Sequence, residues 1–357
     1  MAVGNAKQSN AAEELLLAVS APDRDFNAAR PLIPRCTKEE LNRALVDAAR
    51  NAHLAAVRAL IPVSDPRANS SEALYVAAAS GHLDVVKELI PASDPKAKAS
   101  RALHIAAHNG DLRVVRELIP ASDPMADESW ALCAAAMRGH LDAVRVLVPV
   151  SDPKADASRA LYWAAHYGHL DVVRELIPVS DPRAKESLAL RGAAERGHFD
   201  AVRELIPVSD PRADESKTLC FAARSGRLDV VRVLIGLSDP KANGSRALCW
   251  AAECGRSDVV RVLVPVSDAT LAFQVELERT VNAVLQSGIG GTMHLPSFRA
   301  VNALTPYVGE NLLEQAVRDL PAEIVTCMPH LAAWHAGERL HKDTPPAAAP
   351  PRRRCSL

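Results

Sequence analysis

The sequence predicts an all-α protein, a solenoid built from short helix-turn-helix units. One observation is a period of 29 residues, because Ser-Asp recurs at residues 64, 93, 122, 151, 180, 209, 238 and 267. Another is a pair of short apolar segments in every period, and a glycine or a proline follows every segment except the first, where Ala52 takes that place. Helices this short are marginal alone in water, so each pair must bury its apolar stripe against the next pair.

The first segment of each unit has the composition of a short helix with both ends marked. Between Ser100 and Gly110 the residues RALHIAAHN are rich in alanine and leucine. Serine is a favourable N-cap, and glycine readily adopts the left-handed conformation that closes a helix. Because the serine recurs at 71, 100, 129, 158, 187, 216 and 245, we expect it to cap each of these helices.

The second segment carries one apolar stripe. In DLRVVRELI, residues Leu112, Val115 and Leu118 share a helix face, and Pro120 follows the segment. The Ser-Asp-Pro that comes next predicts a turn, because aspartate bonds to its own downstream backbone and proline presets φ. Residues 42–267 therefore form eight units of 29 residues.

The segments ALHIAAHNGDLRVVRELI and ALYWAAHYGHLDVVRELI resemble the ankyrin repeat signature TPLHxAAxxGHxxVVxxLL. Ankyrin units usually have about 33 residues, and the shortening here falls between the second helix and the next first helix. The family has a β-hairpin finger at that point, so we expect short turns in its place. The resemblance implies a non-enzymatic scaffold that binds another protein and needs no cofactor.

Both flanks of the array are expected to differ from the repeats. Residues 1–11 are expected to be a disordered N-terminus, and residues 12–41 a degenerate repeat that caps the array. Thr37 and Glu40 have the spacing of a capping box for the first helix of the first unit.

On the other side, Ala269 replaces the turn proline, which allows a helix to start there and run to Gly288. Residues 268–341 are therefore expected to form a helical cap or an appended helical domain. Residues 342–357 are rich in proline and arginine without any periodicity, so we expect a disordered tail.

Composition excludes several classes of function. The chain has 42 basic and 43 acidic residues, so it lacks the overall field that holds nucleic acid. No apolar stretch approaches the length of a membrane span. Seven cysteines, odd in number and without CxxC spacing, indicate reduced thiols and a cytoplasmic protein.

Few residues are candidates for chemistry. Cys327, His330, His335 and His341 cluster in sequence, and Cys327 would neighbour His330 if residues 322–341 were one helix. They lack the paired spacing of a zinc site and an evident catalytic base, and GIGGT lacks the lysine of a phosphate-binding loop. We therefore predict no catalytic, cofactor or metal site. The histidines that follow the repeat glycines are expected to tie neighbouring turns together.

The partner-binding residues are predicted from variation between units. The leucine and valine columns never change, whereas the two positions before each glycine and the position before Ala-Leu change from unit to unit. The resemblance implies that such positions line a concave face and contact partners. The candidates are Arg101, His108, Asn109, Trp130, Met137, Arg138, Arg159, His166, Tyr167, Glu195, Arg196 and Arg224.

These candidates form a mildly basic groove, with Trp130, Met137 and Tyr167 expected to be exposed near its centre. The composition favours a monomer that binds a partner protein with an acidic patch. The alternative is an adaptor, or a bacterial-type effector delivered into another cell. In that case residues 268–341 carry a recruiting or enzymatic activity that the repeats target.

Overall fold

The computed structural model describes residues 2–20, 26–287 and 295–337. It divides into two compact units, one from Met1 to Asp181 and the other from Pro182 to Leu357. No strand lies in the described ranges, and the predicted all-α fold with short turns is confirmed.

The helices of the first unit alternate between longer and shorter ones. They are α1 Ala2–Ser20, α2 Lys38–Arg50, α3 Leu54–Leu60, α4 Ala68–Ala79, α5 Leu83–Leu89, α6 Ala97–Asn109, α7 Leu112–Leu118, α8 Ala126–Arg138, α9 Leu141–Leu147, α10 Ala155–Tyr167 and α11 Leu170–Leu176. Short 3₁₀-helices cover Phe26–Ala28, Arg30–Arg35 and Val148–Val150. Consecutive first helices from α2 to α10 pack side by side, and each second helix packs on its own first helix.

The second unit continues the alternation and then changes character. Its helices are α12 Ala184–Arg196, α13 Phe199–Leu205, α14 Ala213–Ser225, α15 Leu228–Ile235, α16 Ala242–Glu253, α17 Ser257–Leu263, α18 Ala269–Ser287, α19 Pro296–Leu304, α20 Glu310–Asp319, α21 Ala322–Thr326 and α22 Pro329–His335. Short 3₁₀-helices cover Ile206–Val208 and Thr305–Tyr307. None of the helices within the described ranges has both the length and the apolarity needed to cross a bilayer.

The core of each 29-residue repeat consists of the positions whose residue never varies between repeats. In the repeat formed by α6 and α7, Leu103, Ala106 and Ala107 are fully buried, as are Val115 and Leu118. Burying such a side chain stabilises the fold by about 1.5–3 kcal/mol. The predicted apolar stripes of the helices are thus the surfaces on which neighbouring repeats pack.

The start of the first helix differs from the prediction in the repeats from α4 to α16. Lys98, Ala99 and Ser100 all adopt left-handed conformations, with φ between 45° and 62°, before the right-handed helix begins at Arg101. The expected N-cap by serine is therefore wrong, and the side chain makes no such bond. The Ser100 hydroxyl is instead fully buried and accepts a hydrogen bond of 2.8 Å from the backbone N–H of Asp123.

The same bond recurs with a constant separation of 23 residues. Ser71 accepts from Asp94 at 2.8 Å and Ser129 accepts from Asp152 at 2.8 Å. In the second unit Ser187 and Ser245 do the same for the backbone N–H groups of aspartates 210 and 268. The serine therefore fixes the turn of the following repeat rather than its own helix.

The Ser-Asp-Pro turn forms as predicted and has a second link to its neighbour. The Asp94 carboxylate accepts from the backbone N–H of Lys96 at 3.1 Å, as expected for aspartate in a turn. In addition, the hydroxyl of Ser93 donates to the carbonyl of Pro66, one repeat earlier, at 3.4 Å. Each turn is thus bound to the turn before it.

At the N-terminal side, helix α1 begins at Ala2, so the expected disorder of residues 1–11 is wrong from Ala2 onward. Ala11, Leu15 and Val19 are buried, and α1 packs on α2, which supplies the order that the polar sequence did not indicate. The Thr37 capping box is confirmed, since its hydroxyl accepts from the Glu40 N–H at 3.3 Å.

At the C-terminal side, α18 ends at Ser287, and the predicted helix there is confirmed. Phe273 and Leu277 anchor it as buried side chains. The loop GIGGT, His341 and the tail 342–357 lie outside the described residues. That residues 268–341 form a helical cap or an appended helical domain stays a prediction.

Candidate partner-binding site

The link between neighbouring first helices is made where each helix ends. Gly139 closes α8 with φ 77°, and the imidazole of His169 lies so close that a Cβ on this glycine would be 2.5 Å from its Nδ1. The His169 Nε2 lies 3.1 Å from the carbonyl of Met137, to which it donates. The predicted role of these histidines in tying turns together is confirmed, since His82 and His140 make the same bond at 2.8 and 3.0 Å.

Where the histidine is absent, another donor replaces it. Asn109 donates from its side chain to the Ala79 carbonyl at 2.8 Å in the repeat where Asp111 caps its own helix. In the second unit, Arg256 Nε donates to the carbonyl of Arg224 at 3.1 Å. Asn109 therefore has a packing role as well as a predicted binding role.

A row of aromatic rings runs along the end of α10. The ring of Tyr167 lies 5.8 Å from that of Trp163 with planes 23° apart, and 6.4 Å from that of His169 with planes 27° apart. His166 meets Tyr167 edge-on at 5.1 Å. Tyr167 is nevertheless 47% exposed, the largest exposed aromatic surface within the described residues. We call Trp163, Tyr167 and His169 the ring row.

A second set of candidates lies at the beginning of the right-handed helices. The guanidinium of Arg101 lies 3.7 Å above the ring of Tyr75, and that of Arg159 lies 5.1 Å from the ring of Trp130. Arg159 also forms an ion pair of 2.9 Å with Asp156. These arginines are thus partly engaged by groups of the chain itself.

Three candidates are less accessible than expected. His166 is buried, and Trp130 and Met137 are only half-buried. The expectation that Trp130 and Met137 are exposed is therefore wrong. Trp130 turns toward Arg159. The more exposed candidates of the first unit are Arg101, Asn109, Arg138 and Tyr167.

The face carried by α6, α8 and α10 is positively charged. Their right-handed parts, residues 101–109, 130–138 and 159–167, contain three arginines and no aspartate or glutamate. The ion pairs of α8 to α11 involve Arg145, Arg159 and Arg174, and no described carboxylate pairs with Arg138. Desolvation lowers the pKa of His108, and the positive charge of Arg138 lowers it further.

The second unit holds the other three candidates. Glu195 is half-buried, whereas Arg196 and Arg224 are exposed. The ring of Trp250 has guanidinium groups on it from Arg224 at 5.6 Å and Arg246 at 4.8 Å. Arginine and aromatic side chains are therefore paired here as well, with Glu195 adding a negative charge.

A column of basic residues on the second helices is exposed to solvent. Arg145, Arg174 and Arg261 are exposed and lie within 4.0 Å of the aspartates three residues earlier. Exposed pairs of this kind contribute little to stability. The second helices therefore carry an exposed charged face whose arginines can serve as controls for substitutions on the first helices.

No chemistry emerges from the cysteines. Burial raises the pKa of Cys133 to about 12, of Cys220 to about 11 and of Cys249 to about 12, so all three stay protonated. The three side chains fill buried packing positions. The cysteines within the described ranges are all free thiols.

The Cys327 cluster differs from the helix assumed for it. The chain leaves α21 at Cys327 and Met328 is extended, so Cys327 and His330 are not neighbours on one helix. The imidazole Nδ1 of His330 donates to the carbonyl of Asn302 at 2.9 Å. Within the described residues no three metal-ligating side chains come together.

The sequence did not predict that Glu276 and Glu253 would lie close together around Arg279. Glu276 on α18 is fully buried, and its carboxylate lies 2.6 Å from the guanidinium of Arg279. Arg279 also contacts Glu253 at 3.3 Å. Burial and the Glu253 charge raise the pKa of Glu276 to about 7, although Arg279 opposes them.

The sequence missed Trp163 and His169 as part of the site. Trp163 is half-buried and stacks on Tyr167. The spacing of four residues between Trp163 and Tyr167 places both rings on one helix face and could have indicated the row.

Comparison with known proteins agrees with this architecture. The family model for ankyrin repeats matches three times, at residues 2–99, 103–186 and 190–272. No curated protein matches the chain. The repeated, sequentially packed pairs of helices are therefore those of a known fold. This chain belongs to the ankyrin repeat family.

Proposed function

We infer that this protein is a non-enzymatic scaffold that binds a partner protein through the exposed ends of its first helices. Ankyrin repeats are generally modules of protein-protein interaction. The observation that carries the proposal is the contrast between invariant buried columns and an exposed, variable, positively charged face on α6, α8 and α10. The partner fitting that face presents an acidic patch.

The proposal includes a monomer acting in the cytoplasm. The free thiols of the described cysteines fit a reducing compartment. Arg101, Arg138 and Tyr167 are exposed candidates in the first unit, and Arg196 and Arg224 are exposed candidates in the second.

Affinity capture with the full chain tests the proposal. The test variant carries Arg138→Glu and Tyr167→Ala, and the control carries Arg116→Glu, a charge reversal on the exposed side of α7. Captured proteins are quantified for each bait after circular dichroism shows equal helicity. We expect partners to be lost from the test variant alone, and equal capture by the two variants would contradict the site.

A groove in the second unit favours a second candidate, an adaptor whose C-terminal helices recruit a further protein. The groove is about 450 Å³ and lies between α18 and α20. Leu277 and Val281 line its floor, and Glu278 and Asp319 bring negative charge to its rims. Capture by Glu278→Lys with Asp319→Lys tests this role, and loss of partners distinct from those lost above would support an adaptor.

A further inference from the structure

We propose that the ring row and Arg138 together bind an acidic linear segment of the partner, with an aromatic side chain of that segment packed on Tyr167. The inference rests on the proposed function, because it names the partner chemistry for the same face.

The aromatic contact is preorganised. The rings of Trp163 and His169 lie nearly parallel to that of Tyr167, and His166 meets it edge-on. Because these contacts already restrict Tyr167, little side-chain freedom is lost when a partner binds. His169 is itself fixed by its hydrogen bond of 3.1 Å to the Met137 carbonyl. A rigid, half-exposed tyrosine next to other rings has the composition of an interface anchor.

The anionic contact is adjacent to it. The same His169 that packs beside Tyr167 reaches the backbone of Met137, the residue directly before Arg138. Arg138 is exposed and is unpaired among the described carboxylates, and it raises the positive potential felt by His108. A guanidinium binds a carboxylate with two parallel hydrogen bonds, which gives direction as well as charge.

The arrangement of the helices favours an extended segment. Asn109, Arg138 and Tyr167 hold the same position on three successive helices that pack side by side. Helix axes in contact lie about 8–10 Å apart, so the three positions span roughly 20 Å. An extended chain covers that distance with about six residues at 3.3 Å each.

Nucleic acid fits this surface less well. Nucleic acid requires several cations along a backbone. Of the three arginines on this face, Arg101 and Arg159 are stacked on rings of the chain, which leaves Arg138 as the accessible cation. An acidic peptide needs only one such cation beside the ring row.

The test is selection from a random peptide library displayed on phage, with the full chain as bait. We expect selected peptides to combine aspartate or glutamate with an aromatic residue. In fluorescence anisotropy with a selected peptide, Arg138→Glu and Tyr167→Ala should each weaken binding by about tenfold or more. Arg116→Glu should leave binding unchanged.

Selected peptides without acidic residues, or binding that neither variant weakens, would overturn the inference. Displacement of a selected peptide by a single-stranded oligonucleotide would overturn it in favour of nucleic acid. Selection of no peptide would exclude a linear segment, while the proposed function would stand or fall on the capture of folded partners described above.

Discussion

The imidazole of His140 donates from Nε2 to the backbone carbonyl of His108, 3.0 Å away in the preceding repeat. Replacement by alanine leaves this carbonyl without its partner, and we expect a loss of about 1–2 kcal/mol. His140→Arg is the matched control, since arginine makes the equivalent bond at Arg227 and Arg256. Urea denaturation followed by circular dichroism measures both, and equal losses would show that the bond has no specific role.

The buried serine hydroxyls make a second testable contribution. Ser71→Ala removes the acceptor for the Asp94 N–H, which should cost about 1–2 kcal/mol because that donor is partly buried. Ser70→Ala is the control, as Ser70 has the same left-handed backbone but is exposed. The expected difference appears in the midpoint of urea unfolding. Similar midpoints for the two variants would contradict the assigned role.

The left-handed residues predict a stabilising substitution. Ala99 has φ 54° and ψ 46°, a conformation that costs about 1–2 kcal/mol for a residue with a Cβ. Ala99→Gly should therefore raise stability by about 0.5–1 kcal/mol after the entropy of glycine is subtracted. Ala97→Gly, two residues earlier and outside the left-handed run, should lower it. A thermal unfolding series decides, and destabilisation by Ala99→Gly would refute the backbone conformation.

The closing glycines are constrained by two effects that can be separated. Gly139→Ala must adopt φ near 77° and also displace His169, which lies 2.5 Å from the new Cβ. Gly255→Ala at φ 64° meets no neighbouring atom within 4 Å and should lose only about 1–2 kcal/mol. We expect Gly139→Ala to cost about 1–3 kcal/mol more. Equal costs in chemical denaturation would remove the steric argument.

The buried Glu276 predicts a dependence of stability on pH. Its pKa rises from 4.5 to about 7 in the fold because of burial and Glu253, so the unfolded chain releases this proton at lower pH than the folded one. Its contribution is therefore greatest below about pH 4.5 and is lost as pH rises toward about 7. Glu276→Gln should flatten this change, whereas Glu278→Gln, exposed on the same helix, should not.

Unfolding free energies measured across that pH range test the assignment. The rest of the chain titrates too, so the informative quantity is the difference between each variant and the parent. An unchanged slope in Glu276→Gln would show that Glu276 keeps its proton affinity on unfolding.

The helices could be predicted because the packing columns repeat. Leu103 and Val115 recur in every unit, and the glycine at the end of each first helix marks where it stops. The role of the serine could not be read in the same way. Serine suits both an N-cap and a buried acceptor, and the choice depends on an N–H group 23 residues later.

The site was predicted in composition but not in exposure. Variation identified Arg138 and Tyr167, which are exposed, together with His166, which is buried. Side-chain contacts decide such cases: Trp130 is drawn to Arg159, and Trp163 stacks on Tyr167 instead of filling the core. These contacts depend on how two side chains lie relative to each other, which the variation at a single repeat position does not show.

Three recurring bonds between repeats have fixed sequence offsets, 23 residues from serine to aspartate, 27 from serine to proline and 32 from histidine to carbonyl. Excision of residues 100–128, one whole period, would therefore recreate each bond with an equivalent partner: Pro95 would stand in for Pro124, and the Ala79 carbonyl for that of His108. Excision of a number of residues that is not a multiple of 29 would break the bonds that span the cut. The array can therefore change its length, and with it the extent of its partner-binding surface, only by complete repeats.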